Sequence, residues 1–210
     1  MTRDELLKIF RSTNALMRGH FELSSGLHSG HYFQCAVFLQ HPKLAAKVCR
    51  ELAMRFVKRR PTVVVGPAVG GIIVAYEVAR QLGVRAVYTE RIDADMALRR
   101  GFEVHKDDRA VIVEDVITTG ESARKVIDLL ETQGARVVGV GAIMDRSSGR
   151  ADFGRRRLRY ETLMEIGFEA FHPSGCPLCK EGIPAVRPGR QIIHHGTPAA
   201  RRRPARRATR

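Results

Sequence analysis

Val111-Ile112-Val113-Glu114-Asp115-Val116-Ile117-Thr118-Thr119-Gly120-Glu121-Ser122 is the stretch whose reading decides the fold. Three β-branched residues predict a short buried strand that runs into two adjacent carboxylates. A small hydroxyl-rich turn follows, and then a helix with apolar positions Val126, Ile127, Leu129 and Leu130. A turn that opens a helix presents unpaired backbone N–H groups at the positive end of the dipole, which suits a phosphate. Gly120 lets the backbone come close, and the Thr and Ser hydroxyls add donors. Glu114 and Asp115 stand just upstream as acceptors for neighbouring hydroxyls, such as those of a ribose. The pattern predicts a sugar-phosphate cradle.

Working outward, Thr62-Val63-Val64-Val65 predicts a core strand ending in the glycine-rich turn Gly66-Pro67-Ala68-Val69-Gly70-Gly71, with a helix over 72–82. Further strands are predicted over 84–88, 109–113 and 136–144. Strands alternating with helices of about a dozen residues imply an α/β fold with a parallel sheet flanked by helices. Both glycine turns then fall at the carboxyl ends of strands, where such sheets bind ligands. Before this core, residues 3–17 read as an amphipathic helix, 21–34 as a hairpin around a Ser/Gly turn, and 43–58 as a helix opened by Pro42. Residues 90–105 read as a polar segment rich in Arg and Asp.

Glu114-Asp115-Val116-Ile117-Thr118-Thr119-Gly120 resembles the phosphoribosyl pyrophosphate (PRPP) signature of type I phosphoribosyltransferases, a Rossmann-like fold. The resemblance implies that Glu114 and Asp115 contact the ribose hydroxyls and that Val116 to Ser122 wrap the 5′-phosphate. It makes Val69 and Gly70 the pyrophosphate loop. Leu23-Ser24-Ser25-Gly26, followed by Ser29, Tyr32 and Phe33, is similar to the N-terminal hood of the orotate branch, with Tyr32 and Phe33 packing on the orotate ring. Thr118 and Arg146, in Met144-Asp145-Arg146-Ser147, would complete the orotate site, Arg146 holding the carboxylate. Many orotate enzymes have Lys where this chain has Ser24 and Gly70. A loop carried by Lys closes over pyrophosphate in related enzymes; here Arg91, Arg99 and Arg100 would take that catalytic role beside Asp115, reaching across a homodimer. Mg²⁺ is expected with PRPP rather than on direct protein ligands. The implied reaction joins orotate to PRPP, giving orotidine 5′-monophosphate and pyrophosphate. A purine-type transferase and a PRPP-sensing regulator on the same fold are the alternatives.

Length 210 and 44% hydrophobic residues allow one domain, expected over 1–190 with its hood in 1–40. No apolar run nears the roughly 18 residues of a membrane span. The charged start, Met1-Thr2-Arg3-Asp4-Glu5, lacks a signal-peptide core, so the cytoplasm is expected. Net charge is +14, but eight arginines lie beyond the last acidic residue, Glu181. Residues 191–210 are therefore expected to form a basic, disordered tail, touching nucleic acid weakly if at all. Cys176-x-x-Cys179 has metal-knuckle spacing, with His172, His194 and His195 as available partners for a zinc ion. Cys35 and Cys49 read as buried core.

Overall fold

The computed structural model describes residues 1–23, 25–154 and 158–188. Ser24, His194, His195 and the basic tail over 191–210 lie outside the described residues. The elements are α1 (Arg3–Ser12), β1 (Leu16–Glu22), β2 (His28–Phe33), α2 (Cys35–Leu39), α3 (Pro42–Met54), β3 (Val63–Pro67), α4 (Gly71–Leu82), β4 (Arg85–Ile92), β5 (Asp95–Leu98), β6 (Arg109–Ile117), α5 (Glu121–Thr132), β7 (Arg136–Asp145), β8 (Tyr160–Glu165), β9 (Ala170–Phe171) and α6 (Pro177–Lys180). The chain divides into two units, Met1–Gly19 with His31–Glu169, and His20–Gly30 with Ala170–Arg210.

The larger unit is built on a six-stranded sheet in the order β5-β4-β3-β6-β7-β8. Strands β4, β3, β6, β7 and β8 run parallel, and β5 closes one edge antiparallel to β4. Alternation along the central strands divides the core. Val64, Val111 and Val113 join the cluster formed with α1, α3 and α4, whereas Val63, Val65, Ala110 and Ile112 join Ala123, Val126, Ile127 and Leu130 of α5. Both faces are covered, which is why these strands read as continuous apolar runs. Each fully buried Val, Ile or Leu stabilises by about 1.5–3 kcal/mol. On β7 the backbone itself is part of the packing surface. A Cβ at Gly139 would stand 2.6 Å from Phe56 Cε1, and one at Gly141 2.8 Å from Phe56 Cε2. The fully buried Phe56 ring fills the space those two side chains would need.

Three expectations need correction. The first helix stops at Ser12 rather than near Met17. Thr13 Oγ1 and Ser12 Oγ bond back to the Ile9 carbonyl at 2.8 and 3.1 Å, and Asn14 takes φ 57°, so Leu16 begins a strand. Its start follows the sequence: Thr2 and Glu5 form a capping box, with Thr2 N–H to Glu5 Oε2 at 2.8 Å and Glu5 N–H to Thr2 Oγ1 at 3.2 Å. The third helix ends at Met54 rather than running to residue 58, and a short 3₁₀ turn, Val57–Arg59, follows. The segment 90–105 is largely a hairpin. Strand β4 continues to Ile92, turns at Asp93 (φ 51°), and returns as β5, pairing Thr89 with Leu98 and Ile92 with Asp95. Strand β8 was not foreseen; its Cα register, Val140 to Tyr160 through Asp145 to Glu165, extends the sheet beyond β7.

In the smaller unit, β2 pairs antiparallel with β9 through His28–Phe171 and Ser29–Ala170. Phe21 forms a parallel bridge with Val186, held by Glu22 N–H to Val186 O and Val186 N–H to His20 O, both 2.9 Å. Among the described residues of this unit, Phe21 and Cys176 are the only buried apolar side chains. No helix among the described residues is long and apolar enough to cross a membrane.

Candidate active site

Strands β3 and β6 lie side by side, and β3 ends at Pro67 while β6 runs on to Ile117, so the loop after β3 lies against the last residues of β6. Gly66 makes the first loop possible: a Cβ there would stand 2.7 Å from the Gly71 carbonyl carbon and 2.8 Å from Ala75 Cβ. Gly70 follows, with ordinary helical dihedrals, against the Asp115 carboxylate; a Cβ at 70 would lie 2.5 Å from Asp115 Cγ and Oδ1. Val69, beside it, is 83% exposed and supports no core packing. The pyrophosphate-loop and cradle residues read from the sequence are thus brought together.

The cradle keeps its expected order. Glu114 and Asp115 are partly buried near the end of β6, Ile117 anchors the strand in the core, and Thr118 and Thr119 are exposed. Gly120 takes φ 85°, and a Cβ there would meet Asp152 O at 2.8 Å, so glycine is required twice over. Helix α5 begins at Glu121, directing its N-terminal end toward the turn. Asp152 N–H fixes the turn from outside by donating to Thr119 O at 2.9 Å.

Burial, with the neighbouring Asp115 charge, pushes the Glu114 carboxyl up to about 8, and a hydrogen bond from the Ala123 backbone pulls the other way. Burial likewise raises Asp115, whose Oδ1 accepts from Val116 N–H at 2.9 Å. Two carboxylates held in this state favour a ligand that supplies hydroxyl donors or positive charge.

Arg146 follows β7 directly, and its N–H donates to Ile117 O at 2.8 Å, which puts it next to Thr118. Burial lowers the guanidinium's proton affinity, opposed by Tyr32 nearby. Its Nε is buried and makes no hydrogen bond. Its Cζ lies 5.3 Å from the Phe168 ring centroid, and His31 stacks on Phe168 at 5.4 Å and 11°. Next to it, buried Asp145 accepts from Ser147 N–H at 2.6 Å and from Tyr160 Oη–H at 2.9 Å, setting the direction in which the chain leaves the strand. Phe168 and His31 were not singled out from the sequence. No local spacing links either to Arg146.

The aromatic pair is split. Phe33 is 4% exposed and packs edge-on against Phe10 at 4.9 Å, so it belongs to the core, and Tyr32 alone is only partly buried. Consecutive strand residues point to opposite faces, so both rings cannot line one ligand site. The arginines of 90–105 are also sorted. Arg100 Nε donates to Glu90 Oε1 at 2.6 Å and Arg99 pairs with the same carboxylate at 3.5 Å. Arg91 lies near the start of α5: after Lys125, it helps hold the Glu121 carboxyl below its ordinary range.

Cys35 and Cys49 are buried as expected, and burial pushes the Cys49 thiol up to about 12. The expected partners of Cys176 and Cys179 change. His172 Nδ1 instead bonds Ser174 Oγ at 2.8 Å, while His20 and His28 converge on the two cysteines.

The strand–carboxylate–turn–helix cradle and the glycine loop beside it are the features of a phosphoribosyltransferase. Residues 37–153 match the model of the phosphoribosyl transferase domain, and the chain belongs to that family. Over 193 residues it is 50% identical to the orotate phosphoribosyltransferase of Desulforamulus reducens and 51% identical to that of Pelotomaculum thermopropionicum, covering 92% of this chain and all of each relative. Among solved structures, orotate phosphoribosyltransferase of Mycobacterium tuberculosis in complex with PRPP superposes with a TM-score of 0.63 at 27% identity, over 78% of this chain and 95% of that one. The branch of the family is therefore that of the orotate phosphoribosyltransferases.

Proposed function

We propose that this chain transfers the 5-phosphoribosyl group of PRPP to orotate, releasing pyrophosphate and forming orotidine 5′-monophosphate, as a cytoplasmic enzyme of pyrimidine synthesis. The observation that carries the choice of acceptor is Arg146. A half-buried guanidinium whose buried Nε is unpaired, held beside Phe168, suits an anion whose carboxylate takes its N–H groups. A purine offers no such carboxylate.

The remaining roles follow from position. Thr118, Thr119, Gly120 and the start of α5 receive the 5′-phosphate through backbone and hydroxyl donors. Glu114 and Asp115 accept from the ribose hydroxyls, orienting C1 toward the orotate nitrogen. As the C1–oxygen bond breaks, charge gathers on the leaving pyrophosphate; the backbone of Val69 and Gly70 faces it, and Arg91 supplies cationic cover. Mg²⁺ bound to PRPP would lower the charge of the diphosphate. The raised proton affinity of Glu114 and Asp115 fits a ribose that arrives with such a cation. We extend the proposal to a homodimer in which Arg91 serves the neighbouring subunit.

The direct test mixes the full chain with PRPP, Mg²⁺ and orotate, follows the loss of orotate absorbance, and repeats the measurement with uracil and adenine. Turnover with orotate far above either other base is expected. PRPP binding without turnover would replace the enzyme with a PRPP-sensing regulator, and turnover with adenine would replace orotate with a purine.

A further inference from the structure

We propose that His20, His28, Cys176 and Cys179 bind a structural zinc ion that holds the smaller unit together. The four donor atoms, His20 Nε2, His28 Nδ1 and the two sulfurs, lie within 4.8 Å of one another. His20 Nε2 is 2.8 Å from His28 Nδ1, 3.5 Å from Cys176 Sγ and 3.8 Å from Cys179 Sγ, and His28 Nδ1 is 3.2 Å from Cys179 Sγ. A tetrahedral zinc with bonds of roughly 2.0–2.3 Å sets its ligands about 3.3–3.8 Å apart; the two His20–sulfur distances match such edges, and the two nitrogens need to part by about half an ångström to admit the ion.

The proton positions agree. His20 Nδ1 lies 2.6 Å from Ile183 O, a carbonyl that can only accept, so Nδ1 carries the hydrogen and Nε2 turns its lone pair toward the other three donors. A backbone carbonyl on the far nitrogen is the usual way a ligating histidine is oriented. Two thiolates and two neutral imidazoles balance the charge of a divalent ion. That balance is needed here, because Cys176 is fully buried and His20 is 4% exposed.

Local structure prepares both halves. Leu23 N–H donates to Leu27 O at 2.8 Å, closing the hairpin that brings the two histidines together. On the other side, Cys176 caps α6, Lys180 N–H returns to Cys176 O at 3.2 Å, and Gly182 (φ 70°) donates to Cys179 O at 3.0 Å, forming a knuckle around the cysteines. With Phe21 and Cys176 as its only buried apolar side chains among the described residues, the unit has little core of its own. Small units of this kind are commonly stapled by a metal. Four protein ligands leave no open position, so the ion is structural, and an N₂S₂ donor set favours zinc over hard cations.

The test uses the full chain under reducing conditions. Reconstitution with ZnCl₂ followed by desalting should give about one zinc per chain by elemental analysis. Cobalt(II) in place of zinc should give the intense visible bands of a tetrahedral ion and thiolate charge-transfer absorption. Cys176→Ser with Cys179→Ser, and separately His20→Gln, should lower retained zinc at least tenfold, whereas His172→Gln should retain it. Little or no retained zinc, an octahedral cobalt spectrum, or undiminished zinc in the Cys and His20 variants would each overturn the proposal. The cobalt spectrum needs no variant, so a misfolded mutant cannot decide the result.

Discussion

Gly70 stands so close to Asp115 that the first side-chain carbon at position 70 would lie 2.5 Å from the carboxylate carbon. The backbone at Gly70 is helical, so an alanine there is not strained, and the carboxylate must move instead. Gly70→Ala should therefore raise the KM for PRPP roughly tenfold, about one displaced charged hydrogen bond, with little change in thermal stability. Thermal melts and initial rates on the purified variant check both halves. An unchanged KM for PRPP would show that the Asp115 carboxylate does not hold the sugar.

Glu114 binds its proton up to about pH 8, so at pH 7 the free chain holds a proton that a ribose and its cation would displace. PRPP with Mg²⁺ should release a proton on binding, seen as a calorimetric heat that varies with the buffer's ionisation enthalpy. Glu114→Gln should remove that dependence. The same group affects stability in a fixed direction. Its folded value is raised, so its contribution is complete below its ordinary 4.5 and is lost as pH rises through about 8. The Gln variant should show a flatter stability profile over that range.

Arg146→Ala should weaken orotate use by about 2–4 kcal/mol in KM while leaving the KM for PRPP near its starting value. Uracil, which lacks the carboxylate, should lose nothing. Arg146→Lys should recover only part, since an ammonium cannot clasp two oxygens in one plane. Equal losses for both substrates would make Arg146 a structural residue.

Arg91→Ala should lower kcat more than Arg99→Ala or Arg100→Ala, because Glu90 already engages the latter two. If Arg91 acts across a dimer, mixing the Arg91→Ala chain with an inactive Asp115→Asn chain should restore activity through one intact site per heterodimer. A mixture that stays inactive while subunits exchange would put Arg91 in its own subunit's site.

The cradle was legible because its signals are local: an apolar strand, two acids, a glycine with positive φ and a helix succeed one another within a dozen residues. The central sheet was legible for a related reason, since strands buried on both faces read as plain apolar runs. Misreadings came where local pattern and tertiary partner part company. Tyr32-Phe33 read as a pair, but strand geometry sends one ring inward to Phe10. The charges of 90–105 suggested a loop, although Met96 and Leu98 were enough to return a strand along β4. Phe168 and the two hairpin histidines carry no signal of their own, because their significance arises only when distant segments meet.

The seat of Phe56 over Gly139 and Gly141 ties three positions into one unit of exchange. A methyl group added to either glycine has no room while the ring remains, and removing the ring opens a void costing about 3–5 kcal/mol. Gly141→Ala and Phe56→Leu should therefore each be harmful alone and partly correct one another when combined, a coupling that a double-mutant cycle measures directly. Drift of this sequence at position 56 is constrained by two glycines on β7, which lie before the Arg146 end of that strand.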